Sequence, residues 1–220
     1  MTSAADFRYR FVDFAIKQNA LCFGEFKTKA GRQSPYFFNS GLFSDGASLA
    51  SLTRFYAEAA LASDIQFDML FGPAYKGITL SAGMAIALAG MGRNVPFAFN
   101  RKEAKDHGEG GLIVGAPLQG RVLIIDDVIS DGASKRESVD MIRAAGATPA
   151  GVLIALDRQE VGTVPGSTTS AAQEFNQTVG VPVIAVATLA DIINYLGLQS
   201  VKHDNLEKIE AYKRQYGATL

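Results

Sequence analysis

The feature that most limits how this chain can fold is a series of short, nearly uninterrupted apolar runs that begins near residue 67. The runs cover residues 67–71, 95–100, 122–128, 151–156 and 183–187. Runs of this length without polar alternation are typical of strands buried on both faces. Segments with helical character separate most of them, at about 76–91, 134–145 and 168–179. This alternation predicts an α/β fold with a central, mostly parallel sheet flanked by helices.

The first part of the chain has a different pattern. Its aromatic residues recur at spacings of four and three, which predicts an amphipathic helix over about residues 5–19. Apolar runs then flank the turn-prone segment 29–32, and this arrangement indicates a hairpin. We therefore expect a hood of about residues 1–43 on a single domain of residues 1–220, with a last helix at about 204–216.

Residues 101–117 fit neither pattern. They combine basic residues with glycines and have no helical periodicity, which predicts a mobile loop that can continue into a short hairpin.

The charge and the cysteine content exclude several functions. Lysine and arginine number 21 against 22 aspartates and glutamates, so the chain lacks the positive field that drives non-specific binding to nucleic acids or anionic membranes. Any anion site must be local. Cys22 has no partner for a disulfide or a cysteine-based metal site, which is typical of a reduced, cytoplasmic protein. Charged residues interrupt the N-terminal apolar positions, and the apolar stretch 78–91 is too short to span a membrane.

The segment with the most chemical information follows the third apolar run. That run ends in Asp126 and Asp127, before a glycine-containing turn and a helix. Ligands of open parallel sheets gather at the carboxyl ends of the strands, and a helix N-terminus there suits a phosphate group. Paired carboxylates can accept hydrogen bonds from vicinal hydroxyls or hold Mg²⁺ through water. The segment predicts a site for a phosphorylated sugar, with both carboxylates outside the apolar core.

A purely structural interpretation is also available, in which the two carboxylates only end a strand and Ser130 or Asp131 caps the next helix. The position of the pair, after so apolar a strand and before a glycine turn, favours function.

The segment resembles the phosphoribosyl pyrophosphate (PRPP) signature of the type I phosphoribosyltransferases. This resemblance implies a PRPP-binding turn that runs from the paired carboxylates into the helix: Asp126, Asp127, Val128, Ile129, Ser130, Asp131, Gly132, Ala133 and Ser134. The family usually has Thr-Ala-Gly-Thr at the positions of residues 130–133. Here Ala133 has no hydroxyl and Asp131 adds an anion, so backbone amides remain as the expected phosphate donors.

Two further segments match the same family. Residues 71–78 follow a strand and precede a helix, and the resemblance implies that Tyr75 and Lys76 contact PRPP; the alternative is a plain tight turn with a solvated lysine. The charged segment after residue 100 matches the family's catalytic loop through Arg101, Lys102, Lys105 and His107. Mobile cations there would neutralise the leaving pyrophosphate and exclude water, although a charge run is more often a solvated surface.

The base subsite is implied by the hood and by one arginine. The hood is similar to that of the orotate-using members of the family, in which the lysine contacts the substrates and paired aromatic residues cover the pyrimidine. The residues implied for orotate are Lys29, Phe37, Phe38, Ser130 and Arg158. Adjacent phenylalanines in a strand are more often core, and Arg158 could form an ordinary surface pair with Asp157.

The resemblance implies an Mg²⁺-dependent glycosyltransferase that moves the 5-phosphoribosyl group from PRPP to orotate in de novo pyrimidine synthesis. It implies a homodimer in which the loop of one subunit closes over its partner's site. Lys29 is also implied as a PRPP-binding residue. The metal would be held mainly by PRPP, with contacts through water to the carboxylate pair. The residues implied as catalytic are Lys105, Lys102, Arg101, His107, Asp126 and Asp127.

Two other functions remain open from the residues. One is a phosphoribosyltransferase for a purine or uracil, which the hood and Arg158 disfavour because an uncharged base needs no cation. The other is a non-catalytic regulator that senses PRPP and binds nucleic acid. The near-neutral charge, the lack of a helix-turn-helix pattern and the loop cations disfavour it.

Overall fold

The computed structural model describes residues 4–28, 30–105, 111–130, 132–162, 166–199 and 204–219. The helices are α1 (Ala4–Lys17), α2 (Gly46–Ala62), α3 (Lys76–Gly90), α4 (Ala133–Ala144), α5 (Ala171–Val179), α6 (Leu189–Gly197) and α7 (Asp204–Tyr216), with a short 3₁₀ helix at Ser40–Leu42. The strands are β1 (Leu21–Lys27), β2 (Gln33–Phe38), β3 (Met69–Gly72), β4 (Phe97–Lys105), β5 (Gly111–Gly115), β6 (Arg121–Ile125), β7 (Thr148–Asp157) and β8 (Val183–Thr188).

The main sheet has the strand order β5-β4-β3-β6-β7-β8 within the described residues. Strands β3, β4, β6, β7 and β8 pair in parallel, whereas β5 runs antiparallel to β4 at one edge. The predicted α/β fold with a mostly parallel sheet is confirmed.

Strand β6 shows how both faces of this sheet are covered. Its side chains alternate, as the two-residue period of a strand requires. Leu123 and Ile125 pack in one apolar cluster, which includes residues of α1, α2 and α6, whereas Val122 and Ile124 pack in a second cluster with residues of α4 and α5. All four side chains are fully buried, which explains why this run is apolar throughout.

The segment 101–117 contains the short hairpin into which the expected loop was predicted to continue. Strand β4 continues to Lys105 and β5 begins at Gly111, so most of the segment forms a β-hairpin on the sheet edge. Backbone hydrogen bonds hold such an edge strand without an apolar pattern, and charged residues are common there. Residues 106–110, including His107, lie outside the described part of the chain, as do the side chains of residues 104 and 105.

The sequence patterns did not separate α6 from the strand before it. The helix begins directly after β8, and Thr188 caps it by accepting a hydrogen bond from the Asp191 backbone N–H while Asp191 accepts one from the Thr188 backbone N–H. Helix α6 was not among the predicted helices, because a single polar residue, Thr188, separates its apolar positions from those of β8. In the described residues no helix combines the length and apolarity needed to cross a membrane.

The hood contains a two-stranded antiparallel hairpin, β1–β2, that is separate from the main sheet. It packs against α7, where the buried ring of Tyr36 meets the edge of Tyr212 at a centroid distance of 6.2 Å. The C-terminal helix thus supports the N-terminal hairpin.

Helix α3 packs unusually close to the end of β6 because Gly77 has no side chain. A Cβ atom at Gly77 would lie 2.7 Å from the backbone oxygen of Ile125 and 2.6 Å from Cδ of Pro73. We expect Gly77→Ala to lower the free energy of unfolding by about 1–3 kcal/mol in chemical denaturation. The matched control is Gly90→Ala in the same helix, where nothing lies within 4 Å of the new Cβ. Equal stabilities of the two variants would contradict this close packing.

Candidate active site

The strand order creates a crevice between β3 and β6. The chain leaves β3 through α3 toward β4 on one side, and leaves β6 through α4 toward β7 on the other. Ligands of open α/β sheets bind at the carboxyl ends of the strands at such a switch point. The segments that follow these two strands contain Lys76 and the Asp126-Asp127 pair, so the sequence-predicted PRPP residues meet there.

Each carboxylate of the pair contacts a lysine from a different helix. Asp126 Oδ2 forms an ion pair with Lys135 Nζ, from the first turn of α4. Asp127 Oδ2 lies 2.6 Å from Lys76 Nζ, at the start of α3, and accepts a 2.8 Å hydrogen bond from Ser40 Oγ. The Lys76–Asp127 pair crosses the crevice between the two strands.

Both carboxylates are buried, with 7% and 9% of their surface exposed for Asp126 and Asp127 respectively. Neither carboxylate belongs to the two apolar clusters, so the pair lies outside the apolar core, as expected, but it is buried by polar and charged partners. The strand ends at Ile125, and the following turn folds back under the hood-side Ser40 and the N-terminus of α4, so the chain around the pair excludes water. Burial of this kind is tolerated because each charge has a partner.

The two carboxyl groups differ in their protonation behaviour. Burial raises the pKa of Asp126 above its ordinary value, and the ion pair with Lys135 only partly opposes this effect. Burial acts on Asp127 in the same direction, but the hydrogen bonds from Lys76 and Ser40 outweigh it and hold its pKa below the ordinary value. Asp127 is thus the more firmly ionised of the two.

Backbone contacts fix the position of the pair. The Asp126 carbonyl accepts a 2.8 Å hydrogen bond from the buried hydroxyl of Tyr56, and the Asp127 carbonyl accepts one of 2.8 Å from the backbone N–H of Ala155 in β7. Further along, Gly132 adopts the left-handed conformation (φ 71°) and leads into α4. The turn between residues 126 and 132 therefore ends at a helix N-terminus, which suits an anionic group.

The other PRPP residues lie around the same crevice where they are described. The Tyr75 side chain is exposed, and Lys102 Nζ in β4 lies 5.9 Å from the centroid of its ring. Asn100 Oδ1 accepts a 2.9 Å hydrogen bond from the Ala74 backbone N–H, which ties β4 to the segment after β3. Of the remaining predicted residues, Arg101 lies in β4. The turn and the start of α4 contain Val128, Ile129, Ser130, Ala133 and Ser134. The described part of the chain does not include Lys29, His107, Asp131 or the Lys105 side chain.

The predicted base subsite lies beneath the hood, where Arg158 follows β7. Its Nε donates a 2.8 Å hydrogen bond to Glu160 Oε1, and its Nη2 donates one of 3.1 Å to Ser34 Oγ in β2. The guanidinium also lies 4.4 Å from the centroid of the Tyr36 ring. The alternative pair with Asp157 is absent among these contacts, because Asp157 accepts a hydrogen bond from the Gln159 backbone instead.

The two hood phenylalanines have different environments. Phe37 is 46% exposed and stacks on Phe26 at a centroid distance of 5.5 Å. Phe38 packs against the core, with its ring 6.4 Å from both Phe11 and Phe43. Adjacent residues of a strand face opposite sides, so Phe37 is the one available to cover a ligand.

Sequence reasoning assigned no role to Lys135, Ser40 or Glu160. For Lys135 a signal exists, since it begins the buried stripe of α4 that continues through Ser138, Val139 and Ile142. A lysine on an apolar stripe needs a buried partner. Ser40 has no comparable signal because its contact with Asp127 joins segments distant in the sequence, and Glu160 has none because a charged residue after a strand is common on a surface.

The carboxylates are suited to a metal held through water. No group of three or more potential metal ligands occurs among the described residues, and each carboxylate already has a lysine partner. Mg²⁺ keeps several of its waters and often binds through substrate phosphates. The donor set therefore fits an ion carried by a diphosphate substrate rather than one enclosed by the protein.

Fold and site define a phosphoribosyltransferase of the type I class. Residues 42–183 match the family model described as "Phosphoribosyl transferase domain". The chain belongs to the orotate phosphoribosyltransferase family, as its relatives establish. It is 61% identical over 213 residues to the enzyme of that name from Thiobacillus denitrificans, covering 97% of this chain and 99% of the relative. The corresponding enzyme of Laribacter hongkongensis is 62% identical, again with 97% and 99% coverage.

A solved structure agrees with this assignment. The orotate phosphoribosyltransferase of Francisella tularensis superposes with a TM-score of 0.85 at 40% identity, covering 95% of this chain and 100% of that one. The family resemblance seen in the sequence is thus confirmed.

Proposed function

We propose that this chain catalyses the Mg²⁺-dependent transfer of the 5-phosphoribosyl group from PRPP to orotate, at the crevice between β3 and β6. The products are orotidine 5′-monophosphate and pyrophosphate, in the synthesis of UMP. The observation that carries this site is the Asp126-Asp127 pair at the switch point, tied across the crevice to Lys76.

The carboxylate pair would bind the ribose. Vicinal hydroxyls of the sugar donate to Asp126 and Asp127, and the turn that ends at Gly132 receives the 5′-phosphate at the N-terminus of α4. Positive charge develops on the ribose as the bond from C1 to pyrophosphate breaks, and a nearby ionised carboxylate favours that charge. The low pKa of Asp127 supports this role.

Cations around the crevice would act on the leaving group. Lys76 and Lys102 flank the exposed Tyr75, and Arg101 and Lys105 share the same strand. Negative charge grows on pyrophosphate as it leaves, so cations placed there lower the barrier most in the transition state. Mg²⁺ bound by the diphosphate supplies further neutralisation of this charge.

The base would lie between the hood and Arg158. Orotate carries a carboxylate, which a guanidinium fork binds through two parallel hydrogen bonds. Contacts with Glu160 and Ser34 hold the guanidinium beneath the hood, and orotate would compete with them for its N–H groups. Exposed Phe37 provides an apolar surface for the pyrimidine ring, and Lys29 in the hood loop adds a cation by family resemblance.

The family resemblance also supports a cytoplasmic homodimer in which the catalytic loop of one subunit, at about residues 101–117, closes over its partner's site. The single cysteine is in keeping with a reducing compartment.

A base panel tests the proposed substrate. The protein is incubated with PRPP, Mg²⁺ and orotate, uracil, adenine or hypoxanthine in separate reactions, and base consumption is followed. We expect orotate alone to be consumed. Consumption of another base in its place would overturn the assignment of orotate, and PRPP binding without turnover of any base would indicate a regulator.

Replacement of Arg158 by alanine should act mainly on the base. We expect the KM for orotate to rise about ten- to a hundredfold, since a hydrogen bond to a charged group contributes about 1.5–3 kcal/mol, while the KM for PRPP changes little. Steady-state kinetics with each substrate varied in turn measure both values. Arg214→Ala is the control, because that arginine is exposed on α7 and its ion pair is long, at 4.0 Å. Equal increases of both KM values would instead indicate a general structural role for Arg158.

A further inference from the structure

Lys135 occupies a position where a charged side chain lowers the stability of the fold unless it is paired. It is 5% exposed, on the buried stripe of α4 with Ser138, Val139 and Ile142. It also lies in the first turn of the helix, where the helix dipole disfavours a cation. A buried charge persists only when a partner compensates it, and the described partner is Asp126.

The contact with Lys135 restrains the orientation of the Asp126 carboxylate. Oδ2 pairs with Lys135 Nζ, and Oδ1 accepts a 2.9 Å hydrogen bond from the backbone N–H of Asp127. Each carboxylate oxygen has two acceptor positions, so one remains on each oxygen for a ligand hydroxyl. Asp126 is therefore held at both oxygens and still able to accept.

Lys135 also sets the local charge. Within the described residues at this strand end, the charges of Asp126 and Asp127 are balanced by Lys135 and Lys76. The two lysines differ in freedom, since the Lys76 side chain is 54% exposed and that of Lys135 is 7% exposed. Lys76 can leave Asp127 to meet another anion, whereas Lys135 stays with Asp126.

We propose that Lys135 is a positioning residue for PRPP, which acts through Asp126. It fixes the carboxylate that accepts the ribose hydroxyl and offsets its charge beside the phosphate-binding turn. This inference rests on the proposed role of Asp126 in ribose binding.

The primary test is Lys135→Met, which keeps the length of the side chain and removes its charge. We expect the Kd of PRPP, measured by calorimetry with Mg²⁺, to rise about tenfold, the effect of one hydrogen bond to a charged group. The KM of orotate should stay within about twofold, the usual range for independent sites. Lys208→Met, on the exposed face of α7, is the matched control and should leave both constants unchanged.

A double-mutant cycle separates positioning from general structural damage. In an Asp126→Asn background, adding Lys135→Met should change PRPP affinity by less than about twofold, because the carboxylate that Lys135 orients is already gone. A tenfold loss in both backgrounds, or an equal loss of orotate and PRPP binding, would overturn the inference. Removing both partners together also avoids leaving one charge buried alone.

The outcomes distinguish the two proposals. If Asp126→Asn alone leaves PRPP affinity unchanged, the ribose assignment fails and the role of Lys135 falls with it. If Asp126→Asn weakens PRPP binding and Lys135→Met does not, only the role of Lys135 is refuted. Should Lys135→Met fail to fold by circular dichroism, Asp126→Asn is compared with the double variant, and PRPP affinities more than about twofold apart contradict the inference.

Discussion

Replacing Asp126 and Asp127 together by asparagine is expected to weaken PRPP binding by about a hundred- to ten-thousandfold. The variant keeps the shape of both side chains and removes two charged acceptors, each of which contributes about 1.5–3 kcal/mol. Calorimetry with PRPP and Mg²⁺ measures the loss. The burial of the pair adds a second expectation, because Lys135 loses its partner and the free energy of unfolding falls by about 3–5 kcal/mol. Binding is therefore measured well below the melting temperature of the variant.

Two controls isolate the role of the carboxylates in binding. Asp127→Asn alone leaves the buried Lys135–Asp126 pair intact and should still weaken PRPP binding by about ten- to a hundredfold. Asp68→Asn changes an exposed carboxylate that pairs with Arg121, just before β3 at the opposite end of that strand. It should leave PRPP affinity as it is. Unchanged affinity in the double variant would mean that the ribose binds elsewhere.

Lys105→Ala should reduce kcat by about a hundred- to a thousandfold, the effect of removing one preorganised group that stabilises developing charge in a transition state. The melting temperature should change little, because Lys105 ends β4, where the pairing with Gly111 of β5 is between backbone groups. Steady-state kinetics and thermal unfolding measure the two quantities. An unaltered kcat would mean that Lys105 is not one of the cations that stabilise the leaving pyrophosphate.

Subunit mixing tests whether this lysine serves the partner's site. Lys105→Ala protein is mixed with the Asp126→Asn, Asp127→Asn variant under conditions that exchange subunits. If the loop crosses the dimer, each mixed dimer contains one site with both lesions and one with neither. Activity should then return to about a quarter of wild type, since half of randomly formed dimers are mixed and half of their sites are intact. If mixed dimers form but have no activity, the model in which each loop serves the partner's site and the two sites act independently is contradicted.

Patterns of apolar residues predicted the parallel strands and most helices because burial on both faces of the sheet dictates them. The carboxylate pair was found for the same reason, since Asp126 interrupts an otherwise apolar run. The β4–β5 hairpin was predicted only as the continuation of a mobile loop, because its pairing depends on backbone groups near a sheet edge, which side-chain periodicity does not reveal. The Lys76–Asp127 and Arg158–Glu160 contacts join residues brought together by topology or by a local turn, and residue type alone does not specify them.

The proposed base subsite involves residues from both early and late parts of the chain. Strand β2 packs on α7, and the backbone N–H of Ala218 donates a 2.8 Å hydrogen bond to the Gln159 carbonyl, between Arg158 and Glu160. The segment around Arg158 is thus tied to the end of the chain, whereas the backbone of Asp126 and Asp127 is braced by Tyr56 of α2 and Ala155 of β7. Loosening of α7 is therefore expected to disturb the surroundings of Arg158 while leaving the carboxylate pair in place.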